Sequence, residues 1–181
     1  MASHHGITIE EAFKDFVPPV SARKVVDRLL SGVPQKYLFG LKTVVLTNAA
    51  GLSHDRRRRK TRSRKRKVAI RECRALYHRK WKNTPAWIEI FVDNLCAGWP
   101  IWVLRIPPCR DIAFAEVLFH ELGHHIHKTR APEYNEREDV AEKWERQLTH
   151  IYLWPKYWYI MLPARIVARA LKPFQRLKNK T

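Results

Sequence analysis

The chain has 181 residues, of which 45% are hydrophobic, so it can bury a core and general disorder is excluded. Its formal net charge of +18 favours contact with nucleic acid or an anionic membrane surface. Three cysteines without a C-x-x-C pair argue against a disulfide framework or a cysteine zinc site, and the sequence offers neither a signal core nor a membrane span. We therefore expect a cytoplasmic protein.

The first hundred residues or so predict one helix and a small set of strands. S-A-R-K-V-V-D-R-L-L (21–30) begins with a capping serine and carries an apolar stripe, which predicts a helix. The β-branched run K-T-V-V-L-T-N (42–48) predicts a buried strand. R-A-L-Y-H (74–78) and A-W-I-E-I-F-V-D-N-L (86–95) predict two more strands, and W-P-I-W-V-L-R-I-P (99–107) is compatible with a further one.

A dense run of cations lies between the first and second predicted strands. Ten basic residues occupy the twelve positions 56–67: Arg56, Arg57, Arg58, Arg59, Lys60, Arg62, Arg64, Lys65, Arg66 and Lys67. Because these cations repel one another, we expect residues 55–67 to form a basic loop that is extended or disordered when free and that the domain could lose without unfolding. Such a loop could bind nucleic acid with steep salt dependence, or it could only be solvated; the sequence leaves both interpretations open.

The next helix carries the residues with the clearest chemistry. The segment 112–128 follows a good N-cap, Asp111, and is apolar on nearly every side, so it belongs in the middle of a domain. It contains His120, Glu121 and His124 in the pattern H-E-x-x-H. Histidines four residues apart share a helix face and can bind one metal, while the glutamate can reach a metal-bound water as a general base. The pattern predicts a zinc site, and a chance match in a histidine-rich helix is the alternative.

A catalytic zinc needs a third protein ligand, and the following helix, predicted over 135–151, offers one. Glu138 lies at the margin of the apolar stripe of this helix, whereas Glu142 lies opposite the stripe. Glu138 is therefore the predicted ligand; an acidic first turn that only suits the helix dipole is the alternative. His127 lies about 10.5 Å along the helix from His120, too far for both to share an ion with His124 between them, so we expect it behind the ligands or beside the substrate.

The order of these elements resembles the minimal core of the zincin metallopeptidases over about residues 43–148, with H-E-L-G-H-H-I-H on the buried helix and E-D-V-A-E-K-W on the next. The gluzincin branch takes its third ligand from the following helix, often in an E-x-x-A setting, which Glu138 to Ala141 matches. Small intracellular members of the ImmA/IrrE type, which cleave regulatory proteins, are also similar. The metzincin motif is absent, since Arg130 stands where its third histidine would be.

The resemblance implies a peptide bound along the edge strand of the sheet, with its carbonyl polarised by zinc. It also implies a side chain that stabilises the oxyanion, for which His127, Tyr134 and His150 are the candidates.

These predictions combine into an α+β fold, a minimal zincin-like core in which a small mixed sheet packs on the buried H-E-x-x-H helix and the ligand helix after it. We assign residues 1–151 to this domain and 152–181 to an aromatic and basic C-terminal segment, which suits either a membrane interface or packing on the domain.

The expected function is a zinc-dependent peptidase that cleaves an intracellular protein. The alternatives are a nucleic-acid-binding protein whose zincin core is structural or vestigial, and a peptidase associated with a membrane surface. Glu121 favours the first, because a purely structural zinc site needs no general base.

Overall fold

A mixed four-stranded sheet lies at the centre of the structure, a computed structural model that describes residues 6–63, 66–130 and 138–159. Its strands, in the order β1-β2-β6-β5, are β1 Thr8–Ala12, β2 Leu41–Thr47, β6 Ala86–Phe91 and β5 Ala75–His78. β1, β2 and β6 are parallel to one another, and β5 pairs antiparallel with β6. Because β5 is last in the strand order, it is an edge strand. The predicted α+β architecture with a small mixed sheet is confirmed.

One long helix, α6, runs through the middle of the fold. Among the described residues, the α-helices are α1 Ala22–Ser31, α2 Gln35–Leu38, α3 His54–Arg58, α4 Val92–Ala97, α5 Ile101–Arg105, α6 Pro107–Arg130 and α7 Glu138–Tyr152, and residues 154–159 are also helical. α6 contacts β5, β6, α1, α2, α5 and α7. Phe114, Leu118, Phe119 and Leu122 are all fully buried in it. A helix that packs against this many elements can be apolar on most of its surface, so the predicted buried helix is confirmed.

Two predictions about the segment before the H-E-x-x-H motif are wrong. α6 begins at Pro107, one turn before the predicted start, so Asp111 lies inside the helix and is not its N-cap. Proline suits a first helical turn, because the N–H groups there have no partner within the helix. The segment 99–107 forms the short helix α5 rather than a strand, and in α5 only Leu104 is buried. So short an apolar run does not distinguish a helix from a strand by its period.

The predicted helix at 21–30 and the strands at 42–48 and 74–78 are confirmed as α1, β2 and β5. The strand predicted over 86–95 is shorter, since β6 ends at Phe91 and α4 follows. β1 has no signal in the sequence, because Ile9 is its one buried residue and the strand lies at an edge of the sheet.

Apart from positions 64 and 65, which lie outside the described residues, the basic run is folded, and the prediction of an extended or disordered basic loop at 55–67 is corrected. It forms α3 and a hairpin of β3 Lys60–Ser63 and β4 Arg66–Ala69. These elements border a second apolar cluster, in which Leu52, Cys73 and Phe91 are buried and Val68, Ile70 and Leu76 partly buried. The repulsion among the cations is therefore outweighed where the segment covers apolar surface of the sheet.

Arg56 connects the basic layer, which is formed by α3 and the hairpin, to the sheet. Its guanidinium donates hydrogen bonds of 3.0 and 2.6 Å to Glu89 on β6, whose side chain is almost fully buried. His78 Nε2 lies 3.1 Å from the same carboxylate. Burial acts to raise the pKa of Glu89, but its bonds with His78 and Arg56 outweigh burial and hold the pKa below its usual value. Arg56 thus neutralises a charge that a central strand buries.

The chain after α7 packs on the domain as far as it is described. Leu153 and Tyr157 belong to the main core, and the Tyr157 hydroxyl donates a 2.6 Å bond to the buried carboxylate of Asp111. Arg28 binds the same carboxylate through Nε at 3.2 Å. The first residues of the segment 152–181 are therefore anchored to the domain, and residues 160–181 lie outside the described residues. Within the described ranges, no helix combines the length and apolarity that crossing a membrane requires.

Candidate metal centre

Two histidines one turn apart on α6 face the first residue of α7. The ring centroids of His120 and His124 are 5.0 Å apart, with their planes at 81°. His120 Nε2 lies 3.3 Å from Glu138 Oε2, and His124 Nε2 lies 3.9 Å from the same oxygen. One ligand atom from each of the three side chains lies within 4.8 Å of the others, so the group could hold a metal ion. The structure therefore brings together the three residues predicted as ligands.

A small residue on each helix lets α7 come this close to α6. A Cβ on Gly123 would lie 2.6 Å from the carbonyl oxygen of Ala141 and 2.8 Å from its Cα, so only glycine fits without a shift. Both residues are buried at the crossing. Glu138 precedes Ala141 by one helical turn, and the close crossing holds its carboxylate beside the two histidines.

A fourth side chain, Glu145, contacts the outer nitrogen of one ligand. Its Oε2 is 3.0 Å from His120 Nδ1, so the imidazole can donate its proton there and keep Nε2 free to face a metal. The sequence reasoning missed Glu145, although the signal is present. Glu145 follows Glu138 by seven residues, which is two turns along one face of α7.

The pKa values of the two histidines are shifted in opposite directions. Burial acts to lower the pKa of His120, but its bond with Glu145 and the charges of nearby carboxylates outweigh burial and raise the pKa. The pKa of His124 is lowered to about 4 by burial and by its neighbour His120, against the opposing charge of Glu138. His124 is therefore neutral near pH 7, which is the form of imidazole that binds metal.

The group lines a cleft of about 810 Å³. β5 and the residue before it form one wall over 74–77, and the hairpin contributes Thr61 and Val68. Glu121 lines the same cleft. It is the residue predicted as the general base, and it lies in the same cleft as the three candidate ligands.

Cys73 also lines the cleft, but it is poorly suited to nucleophilic chemistry. Burial, together with the negative charges of Glu121, Glu72 and Glu89, raises the pKa of its thiol to about 11. A thiol with this pKa is protonated at neutral pH, whereas the nucleophile is the thiolate. The chemistry of the cleft therefore rests on its histidines and carboxylates.

Of the residues predicted to stabilise an oxyanion, the two that the structure describes do not line the cleft. His127 is half-buried on α6 and His150 is exposed on α7; neither is among the cleft-lining residues of the described ranges. Tyr134 lies outside the described residues. A different hydroxyl, that of Tyr77, belongs to a residue in the cleft wall and lies 3.3 Å from His125 Nδ1.

No family model matches the chain, and no curated protein or solved structure matches it either. The functional argument therefore rests on the residues and geometry of the chain itself.

Proposed function

We propose that the protein is a zinc-dependent peptidase with a zincin-like core, and that it hydrolyses peptide bonds of an intracellular protein. The observation that supports this most is that Glu121 lines the same cleft as His120, His124 and Glu138. Two imidazoles and one carboxylate are a donor set that suits zinc and leaves a fourth position open. A structural zinc site is usually closed by four protein ligands, and the group in the described ranges has three.

The chemistry divides between the metal and the side chains around it. When bound, zinc would polarise the substrate carbonyl and lower the pKa of a water molecule. Glu121 takes a proton from the attacking water as the bond to the carbonyl carbon forms, and it returns the proton to the leaving amine as the C–N bond breaks. The contact of Glu145 with Nδ1 would favour the tautomer of His120 in which Nδ1 is protonated and Nε2, which lies towards Glu138, can bind the metal.

The proposed substrate is an extended peptide that binds beside β5. This strand is an edge of the sheet, and residues 75–77 line the cleft. An edge strand offers N–H and C=O groups that pair with an added strand, so the main chain of the substrate supplies much of the recognition. The three cysteines are free thiols, which fits a reducing compartment and a cytoplasmic substrate.

Two measurements on the same preparations test this proposal: the zinc content, and the cleavage of a denatured protein that carries a fluorescent label. Wild-type protein should hold about one zinc per chain and cleave the probe. Glu121→Gln should keep the zinc and lose at least about 10²-fold in rate, because it removes the base and no ligand. Glu116→Gln is the matched control and should keep both properties, since Glu116 lies on the same helix, lines the same cleft and pairs with Arg74 at 3.5 Å.

Metal ligation is tested separately from catalysis. His124→Ala and Glu138→Ala should lose zinc, whereas Glu142→Ala, one turn further along α7, should keep it. Full zinc occupancy in His124→Ala would overturn the site itself. Unchanged cleavage by Glu121→Gln would instead overturn the role of the base while leaving the metal site intact.

A further inference from the structure

A second pocket, of about 320 Å³, lies beside α3 and the hairpin and is strongly basic. It is lined by His54, Arg57, Arg58, Lys60, Ala69 and Arg71, and no acidic side chain is among these lining residues. Four of the six are permanently charged cations in a concave surface. A site of this composition suits a phosphate group, which arginine can bind through two parallel hydrogen bonds.

The fold holds one of these cations in place. Arg57 is half-buried, and it donates through Nε to the carbonyl of Leu52 at 3.0 Å and through Nη2 to the carbonyl of Ala50 at 2.6 Å. Arg58 and Lys60 are exposed at the pocket. A cation fixed before binding loses less side-chain entropy when an anion arrives, which favours binding.

The other charges near the pocket compete weakly for these cations. Arg71 Nε lies 3.7 Å from Glu72, and both side chains are more than half exposed, so this ion pair is weak in water. Arg56, by contrast, is engaged with Glu89 and is not available to an external anion. The side chains of the basic run that the structure describes therefore include cations that support the fold and cations that face solvent.

The hairpin forms a wall of both the basic pocket and the metal cleft. Lys60 and Ala69 are paired across β3 and β4 and line the basic pocket, whereas the next pair, Thr61 and Val68, lines the metal cleft. Consecutive residues of a strand point to opposite sides, which explains how one hairpin serves two cavities.

We propose that the basic pocket binds a backbone phosphate of nucleic acid, which then lies on the side of the hairpin opposite the metal cleft. Exposed Arg59 and Lys67 extend the positive surface beyond the pocket, which suits a polymer of phosphates better than a single anion. Ala69 is the one apolar side chain in the lining, whereas a membrane-binding surface would combine cations with larger apolar residues.

Two stacked aromatic rings on the face of the sheet that carries Glu89, and one exposed ring in the turn after β5, also favour nucleic acid. His78 contacts Glu89, the partner of Arg56, so it lies on the face that the basic layer covers. It stacks on Trp87 with a centroid distance of 3.8 Å, and Trp81 in the following turn is 62% exposed. Exposed aromatic rings beside cations are the combination with which proteins bind unpaired bases and their phosphates.

The test uses the full chain and a fluorescent single-stranded oligonucleotide, with affinity measured across a salt series. The variant Arg58→Ser, Lys60→Ser, Arg71→Ser should bind at least about tenfold more weakly, and its slope of log affinity against log salt should be smaller by about 2. The control variant Lys24→Ser, Lys42→Ser, Lys143→Ser removes the same charge at three exposed sites elsewhere and should bind within about threefold of the wild type.

Equal losses in the two triple variants would overturn the pocket and leave only a net-charge effect. Binding of the wild type to anionic vesicles but not to the oligonucleotide would overturn nucleic acid as the ligand. Circular dichroism should match in all three proteins, which confirms that the exposed substitutions leave the fold intact. The experiment needs neither zinc nor cleavage, so its result is independent of the proposed peptidase activity.

Discussion

Gly123 sets the distance between the two helices of the metal centre, although its own atoms take no part in the proposed chemistry. The H-E-x-x-H pattern treats its position as variable. Here, an added Cβ would lie 2.6 Å from the carbonyl oxygen of Ala141, well inside van der Waals contact with backbone that cannot rotate away. A missing side chain on α6 therefore controls where Glu138 on α7 lies.

We predict that Gly123→Ala weakens zinc binding by about tenfold or more and destabilises the protein by about 1 to 3 kcal/mol. Alanine favours a helix over glycine by up to about 1 kcal/mol, but the backbone clash outweighs this gain. Zinc titration and urea unfolding measure the two effects. Gly98→Ala is the control, because a Cβ there would meet its nearest atom, Arg74 Nη2, at an ordinary 3.6 Å. Wild-type zinc affinity in Gly123→Ala would mean that α7 can shift without displacing Glu138.

Residues of the site differ in how far the sequence could predict them. His120, Glu121 and His124 lie on one helix, so their spacing alone fixes their relation. Glu138 and Glu145 lie on another helix, and helical periodicity identifies their common face but not their partners. A residue such as Tyr77, which β5 brings to the cleft, has no local pattern that marks it. Prediction from sequence therefore weakens as contacts become less local.

The same limit applies to the secondary-structure elements. α6 is long enough for its apolar pattern to predict it, whereas α5 and β1 are too short or too exposed to carry a pattern. The basic run has a strong local pattern, but that pattern misleads. Its charge suggests a solvated loop, whereas its packing depends on residues far away in sequence. Arg56 and Glu89 are 33 positions apart, and nothing near either residue indicates that they meet.

We predict that Arg56→Met destabilises the protein by about 3 kcal/mol, because it leaves the buried carboxylate of Glu89 with His78 as its main partner. This value is the lower end of the range for breaking a buried pair, since Arg56 is one-third exposed. Arg58→Met, in the same short helix but exposed, should change stability by less than about 0.5 kcal/mol. Urea unfolding at neutral pH compares the two variants.

The pH dependence of stability provides a second measurement on the same ion pair. The pKa of Glu89 is lowered in the folded protein, so its contribution to stability is present above the ordinary pKa of a glutamate and is lost as the pH falls through the lowered value. Arg56→Met raises that folded-state pKa and should therefore lose less stability than the wild type as the pH falls below about 4.5. Parallel acid curves for the two proteins would show that the pair does not stabilise the charged form.

At the scale of the whole molecule, a chain with a net charge of +18 has gathered negative charge at its central cleft. Five glutamates line this cleft: Glu72, Glu116, Glu121, Glu138 and Glu145. Among the described residues that line the cleft, Arg74 is the one lysine or arginine. Carboxylates crowded in one cleft repel one another, and a divalent cation relieves that repulsion. The four glutamates other than Glu138 thus favour a metal ion in the cleft in addition to the three candidate ligands.

This charge distribution and the position of α6 link metal binding to the stability of the entire domain. α6 contacts the sheet and four other helices, so a metal that joins α6 to α7 stabilises the packed core and not a surface loop.

With free zinc at about a hundredfold its dissociation constant, binding contributes about 2.7 kcal/mol to the free energy of unfolding. We therefore predict that removing zinc with a chelator lowers the Tm of the wild type by about 5 to 10 °C, given about 2 to 4 °C per kcal/mol for a chain of this size. His124→Ala should melt at one temperature with and without chelator, because it holds no zinc to lose. A wild type that releases its zinc without any change in Tm would separate the metal from the core and would place the ion elsewhere than between α6 and α7.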